Sequence, residues 1–253
     1  MHPVILAVLI GAAGLGLYEF TLLGIRINRG TEIAQASRPF ELKNPAAMHR
    51  VLVVGDSTGV GTGAARPEES VSGRIAGEFP GTEIVNLSRN GAKLKDALGQ
   101  LESVADSRFD IVLVQAGGND ILGFTDLGEL KETTRQVLQS ARGKGKAVAF
   151  ITTGNVGLAP AFFPPISWIL TARTREARAL FLDVSRESGV QYVDLFREKG
   201  NEIFLGDPDR YYTPDYLHPS SEGYRVWYEE LKKQTDIVER LGKGPDRAGP
   251  TGR

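Results

Sequence analysis

The residues able to do covalent chemistry fall into three short strings. The first, Gly55-Asp56-Ser57-Thr58-Gly59-Val60-Gly61-Thr62-Gly63, follows a β-branched run and sets a serine and a carboxylate among glycines. A Walker-type phosphate cradle needs a lysine after its closing glycine, where Thr62 stands, and the dinucleotide fingerprint needs GxGxxG where Gly59, Gly61 and Gly63 give GxGxG. Two readings remain open. Ser57 is a nucleophile held at a strand end with glycines admitting substrate, or the string is a plain turn in which Asp56 or Ser57 caps a helix. The second string, Ala116-Gly117-Gly118-Asn119-Asp120, puts a short amide behind two glycines. Asn119 can aim an N–H at a developing oxyanion, or serve only as a turn residue. In the third, Thr213-Pro214-Asp215-Tyr216-Leu217-His218-Pro219, a carboxylate stands three residues before an imidazole and can orient it in a compact turn. A helix cap with Pro219 at the first helical position is the other reading of His218.

Elimination narrows the base. Of three histidines, His2 belongs to an apolar N-terminal segment. His49 precedes the first strand at the end opposite Ser57, roughly 17–20 Å away. If Ser57 has a base, it is His218. Zero cysteines exclude a thiolate nucleophile, thiolate metal sites and disulfides.

The elements that must position these groups are legible as periodicities. Near-continuous β-branched runs at 51–54, 83–87, 111–115, 147–151 and 191–195 suit parallel strands covered on both faces. Leu94, Ala97, Leu98 and Leu101 keep helical spacing, as do Leu127, Leu130, Thr134, Val137, Leu138 and Ala141, and Tyr224, Trp227, Tyr228 and Leu231. Alternating strands and helices predict a parallel sheet between helical layers, with ligands outside the carboxyl ends of the strands. Ser57, Gly91 (in Ser88-Arg89-Asn90-Gly91-Ala92), Asn119 and the Asp215/His218 pair all follow different strands toward that edge. A nucleophile, oxyanion donors, a base and its orienter are the set needed for acyl transfer.

From about residue 50 to 241 the sequence resembles the SGNH hydrolases, the GDSL esterase–lipase family. Gly55-Asp56-Ser57 is similar to the first family block, Gly91 to the glycine block, Gly117-Gly118-Asn119-Asp120 to the GxND block, and Asp215-Tyr216-Leu217-His218 to the DxxH block, all in family order. Thr58 departs from the leucine of the family name at a variable position. GDSTG also fits the nucleophile elbow GxSxG, but α/β-hydrolases place that elbow after several strands with Asp and His far apart. The resemblance implies a flavodoxin-like α/β/α sandwich with a five-stranded parallel sheet. It implies a serine esterase acting through an acyl-enzyme, with Ser57, His218 and Asp215 as triad, and Ser57, Gly91 and Asn119 as oxyanion hole. No metal or organic cofactor is implied. The expected substrate is a small-molecule or lipid acyl ester. Thioesterase and carbohydrate O-deacetylase chemistry are alternatives on the same site, as is a non-catalytic membrane-tethered binding module, against which the intact set of site residues argues. The apolar stretch 162–170 follows the fourth strand, and Phe162, Phe163 and Trp168 are candidates for an acyl-binding wall; the alternative is core and the start of the next helix.

The chain has 253 residues, 41% of them hydrophobic, and 30 basic against 31 acidic residues. That is apolar material for one sizeable core, and the charge balance excludes the basic footprint of a nucleic-acid binder. Residues 3–18 carry no charge and the apolar run resumes to Ile25. As a helix, 3–25 would rise roughly 34 Å, enough for a hydrocarbon core. No Lys or Arg precedes the run and the first AxA-like site, Ala34-Gln35-Ala36, lies well past it, which favours an uncleaved anchor over a signal peptide. The cations Arg26, Arg29, Arg38, Lys43 and Arg50 lie downstream, which leans the catalytic domain toward the cytoplasm. The expected organisation is a membrane-anchor helix at 1–28, a linker at 29–48, a hydrolase domain at 49–241 and a disordered tail at 242–253.

Overall fold

Valine, isoleucine and leucine fill the strands because these lie between two helical layers and meet apolar neighbours on both faces. A computed structural model describes residues 3–105 and 108–243, with the backbone alone for 3–13 and 15. Its strands are β1 (His49–Gly55), β2 (Thr82–Asn86), β3 (Phe109–Gln115), β4 (Gly145–Ile151) and β5 (Gln191–Val193). All pair in parallel, in the order β2-β1-β3-β4-β5. The expected fifth run is shorter by two residues: 194–195 leave the ladder and enter the loop beside the site.

The helices are α1 (Pro3–Ala36), α2 (Ser57–Val60), α3 (Val71–Glu78), α4 (Leu94–Glu102), α5 (Gly118–Leu122), α6 (Leu127–Lys144), α7 (Ile166–Ser188), α8 (Pro208–Tyr211), α9 (Ser221–Gln234) and α10 (Ile237–Gly242). The three expected stripes fall on α4, α6 and α9. Period-two alternation along each strand divides the core. Leu52, Val54, Val112, Val114 and Phe150 face α4, α6 and α7, where Leu101, Val137, Leu138 and Phe181 meet them. Val51, Val53, Ile111 and Leu113 face α3, α9 and α10, against Ile75, Tyr224, Leu231 and Ile237. Each such side chain, fully withdrawn from water, contributes about 1.5–3 kcal/mol of burial. The result is the expected α/β/α sandwich.

The N-terminal organisation departs from expectation. Among the described residues no helix is long and apolar enough to cross a membrane. Part of the expected span, 3–13 and residue 15, has side chains outside the described residues, so the spanning anchor finds no support in the fold. Nor does α1 stop at residue 28. It continues to Ala36, so 29–36 of the expected linker is helical. Its second half keeps a half-buried face, Leu22, Leu23, Arg26, Gly30, Ile33 and Ala34, at helical spacing, while Gly24, Ile25 and Ile27 are exposed. The rest of the expected linker is tied down as well: Leu42 bridges antiparallel to Ile84 and covers the open edge of β2. Of the expected tail, 244–253 lies outside the described residues.

Candidate active site

The first string becomes a tight strand-to-helix turn because only glycine fits its corner. Gly55 has φ +142°, and a Cβ there would lie 1.9 Å from the carbonyl oxygen of Gln115 on the neighbouring strand. The chain then turns through Asp56, whose Oδ1 accepts from the Thr58 N–H (2.8 Å) and the Thr58 hydroxyl (2.7 Å) and so caps α2. Ser57 opens that helix at the carboxyl end of β1. Capping and a cavity-facing serine, alternatives in the sequence, coexist: Asp56 caps and Ser57 faces the cavity.

The third string is a closed loop between α8 and α9. Tyr212 bridges to Pro219, the Thr213 N–H donates to the His218 carbonyl (2.9 Å), and Tyr216 takes a left-handed φ of +58°. Asp215 Oδ1 accepts from the Thr213 hydroxyl (2.7 Å), the Leu217 N–H (2.9 Å) and the His218 N–H (3.0 Å). Its Oδ2 lies 2.6 Å from His218 Nδ1. Burial alone would raise this carboxyl, but the bond from His218, its charge and the other donors hold it below the usual carboxylate range. An ionised carboxylate only accepts, so His218 Nδ1 carries the hydrogen and Nε2 is left as the acceptor. His218 Nε2 stands 3.0 Å from Ser57 Oγ. The cap of α9 is Ser220, whose side chain accepts from Glu222 and Gly223; the capping reading of His218 therefore falls.

The second string turns through Gly117 at φ +116° and begins α5. Asn119 lines the same cavity as Ser57 and His218, and one of its amide hydrogens goes to the Ala92 carbonyl (2.9 Å). Asp120 turns away from the cavity, where Oδ2 accepts from the Leu94 N–H (3.0 Å) at the start of α4, and burial raises its carboxyl. Gly91, with φ +76°, is exposed and is not part of the cavity wall. Its neighbour Asn90 is tied to the nucleophile turn, accepting from the Thr62 hydroxyl at 2.6 Å.

The cavity measures about 320 Å³ and opens beside Ser57. None of Phe162, Phe163 and Trp168 lines it, which corrects the expected acyl wall. Phe162 packs against the core beneath, Phe163 lies under the Arg26 guanidinium, and Trp168 is 69% exposed on α7. The wall consists instead of residues that follow β4 and β5, among them Thr153, Asn155, Leu195 and Arg197, with Glu202 and Trp227. Sequence reasoning passed over Thr152-Thr153-Gly154-Asn155, although its place directly after β4 marked it. Next to Ser57, burial pushes the Asp56 carboxyl up to about 6. Among the described residues no cluster of His, Asp or Glu could hold a metal ion.

The arrangement can pass a proton from Ser57 Oγ to His218 Nε2 while Asp215 holds the ring. Comparison with known proteins agrees in kind. The profile of the GDSL-like Lipase/Acylhydrolase family matches residues 53–226. No curated protein matches the chain. Among solved structures, an extracellular lipase from Streptomyces rimosus is 20% identical, with a TM-score of 0.59 over 74% of this chain and 100% of that one. The acetylxylan esterase Axe2 from Geobacillus stearothermophilus is 17% identical, with 0.56 over 80% and 98%. A member of the lipolytic G-D-S-L family from Veillonella parvula is 16% identical, with 0.56 over 73% and 96%. At such identities these structures share the fold, while the profile spans most of the catalytic sandwich. The chain belongs to the GDSL-like lipase/acylhydrolase family, the SGNH hydrolases, and is an ester-hydrolysing enzyme.

Proposed function

We propose that the chain hydrolyses carboxylic esters through an acyl-enzyme on Ser57. The observation that carries this reading is the relay of short contacts from Ser57 Oγ through His218 to Asp215, 3.0 Å and then 2.6 Å. His218 Nε2 takes the Ser57 proton as Oγ attacks the ester carbonyl. Asp215 keeps the hydrogen on Nδ1 and stabilises the imidazolium. The Ser57 N–H and the Asn119 amide, both at the cavity, are the donors for the tetrahedral oxyanion, and Gly91, expected as a third, lies outside the cavity wall. His218 then returns its proton to the leaving alkoxide, and water, activated by the same base, releases the acid.

Thr153, Asn155 and Glu202, polar groups in a wall otherwise rich in apolar side chains such as Leu195, Ile203 and Phe204, allow a second, narrower reading, in which the ester partner carries hydroxyl groups, as in a carbohydrate O-deacetylase. One experiment addresses both. Ser57→Ala should abolish p-nitrophenyl acetate hydrolysis and fluorophosphonate labelling with an unchanged circular dichroism spectrum. Persistent labelling would overturn the nucleophile assignment. With the unaltered enzyme, kcat/KM higher for an octanoyl ester than for an acetylated sugar would remove the narrower reading.

A further inference from the structure

The active-site edge has a neighbour that the hydrolytic reading leaves unused. Arg26, Gly30 and Ala34 lie four residues apart on one face of α1, and each meets a different part of the site. The Arg26 guanidinium donates to the Pro160 carbonyl (2.8 Å) and lies over the rings of Phe163 and Tyr216, at 4.9 and 5.0 Å from their centroids. Tyr216 is the left-handed residue directly after Asp215, so the cation sits on the strained point of the loop that carries Asp215 and His218. Gly30 turns its bare Cα to Asp215: a Cβ there would lie 3.0 Å from Oδ2, the oxygen bonded to His218 Nδ1. The Ala34 carbonyl accepts from Asn90 Nδ2 (2.7 Å), beside Gly91 and bonded to Thr62.

We infer that the second half of α1 is a positioning element of the catalytic site. Gly30 sets the place of the Asp215 carboxylate, Arg26 clamps the turn after it, and Ala34 anchors the loop of Gly91. The inference rests on the triad reading. Asp215 is 2% exposed, and part of what closes its back is the α1 backbone at Gly30. A helix that merely packed on the surface would tolerate a side chain there. This one cannot without moving the oxygen that holds His218.

Glycine offers a clean test, because substitution by alanine improves intrinsic helix propensity and substitution by valine does not worsen it. A purely structural role for α1 therefore predicts equal or greater stability and unchanged turnover per folded site. The positioning role predicts that turnover falls with side-chain size. Kinetics of the full chain with p-nitrophenyl acetate, normalised to sites titrated by fluorophosphonate, should show Gly30→Val lowering kcat by roughly 10- to 100-fold, since about 1 Å of misplacement suffices for such a loss. KM should stay within about twofold, and the rate of phosphonylation should fall in parallel. Gly30→Ala should lie between, and Gly24→Ala, on the open face with nothing within 4 Å of its added carbon, should match the unaltered enzyme. Should Gly30→Val not fold, Arg26→Ala carries the test: kcat falls at constant KM and Arg26→Lys recovers part of it. Unchanged kcat in these variants, or a rise in KM alone, overturns the inference while leaving the triad intact. Activity surviving in Ser57→Ala would remove the triad reading, and the inference with it.

Discussion

Asp56 lies next to Ser57, the proposed nucleophile, with a carboxyl that is 3% exposed and pushed up to about 6, from 3.8, by its burial. The native state thus holds this proton more tightly than the unfolded chain does. The stability it contributes is complete below about 3.8 and is lost as pH rises through about 6. At neutral pH the ionised group costs about 3 kcal/mol at 1.36 kcal/mol per unit. Asp56→Asn keeps an acceptor for Thr58 and removes the titration. Its unfolding free energy by urea should fall less between pH 4 and pH 7 than that of the unaltered protein, and equal slopes would show that the carboxyl is not perturbed. Sequence alone singled out Ser57, Asp215 and His218, which the fold brings within hydrogen-bonding distance of one another, because elimination among three histidines is local reasoning, as is a spacing of three. It could not separate the cap from the nucleophile within one turn. It also misplaced Phe162, Phe163 and Trp168, because whether an apolar run faces a cavity, core or water depends on the direction in which the next helix leaves.

The elements that bring the two halves of the site together meet at a single glycine. Gly63, three residues beyond α2, has φ +101°; a Cβ would lie 2.4 Å from the Pro219 carbonyl and 3.4 Å from the His218 Cβ. Backbone cannot yield as a side chain can. Gly63→Ala should therefore displace the 213–219 loop from Ser57. It should lower kcat at least tenfold and cost about 1–2 kcal/mol for the left-handed backbone alone, measured as turnover per titrated site and as a fall in Tm. A variant equally active and equally stable would mean that the loop is free to slide. Strands were the most legible elements, since buried parallel strands write themselves as unbroken β-branched runs. Helix α3 was missed because Val71-Ser72-Gly73-Arg74-Ile75-Ala76-Gly77-Glu78 holds two glycines and few apolar residues. The end of α1, residues 29–36, was read as linker because the residues there that contact the site, Gly30 and Ala34, carry no apolar signal and work through a bare Cα and a carbonyl.

Across the whole molecule, the sheet order places the site. β1 has β2 on one side and β3 on the other, so the connections leaving β1 and β3 part to opposite faces and open a crevice at their carboxyl ends. Ser57 follows β1 and Asn119 follows β3. His218, the proposed base, comes from a loop far along the sequence that is braced by α9, where the Tyr224 hydroxyl donates to the Thr62 carbonyl (2.8 Å). A site assembled at one edge of the sheet from distant parts of the sequence should disappear with the sheet itself. In urea, esterase activity and far-UV circular dichroism should be lost at the same midpoint. Activity lost at a clearly lower concentration would show that the 213–219 loop opens on its own.

The contact between Ser57 and His218 spans 161 positions of the chain. A ribosome adding ~5–20 residues per second needs roughly 10–30 s to travel that distance. Throughout that interval the emerging polypeptide displays Ser57 without His218, the base proposed to take its proton. On the proposed triad, nascent chains and fragments released by premature termination before His218 would be inert. If Ser57 and His218 act as proposed, hydrolytic competence arrives only once His218 has emerged, so the order in which the groups are synthesised keeps copies that stop short of it from attacking esters.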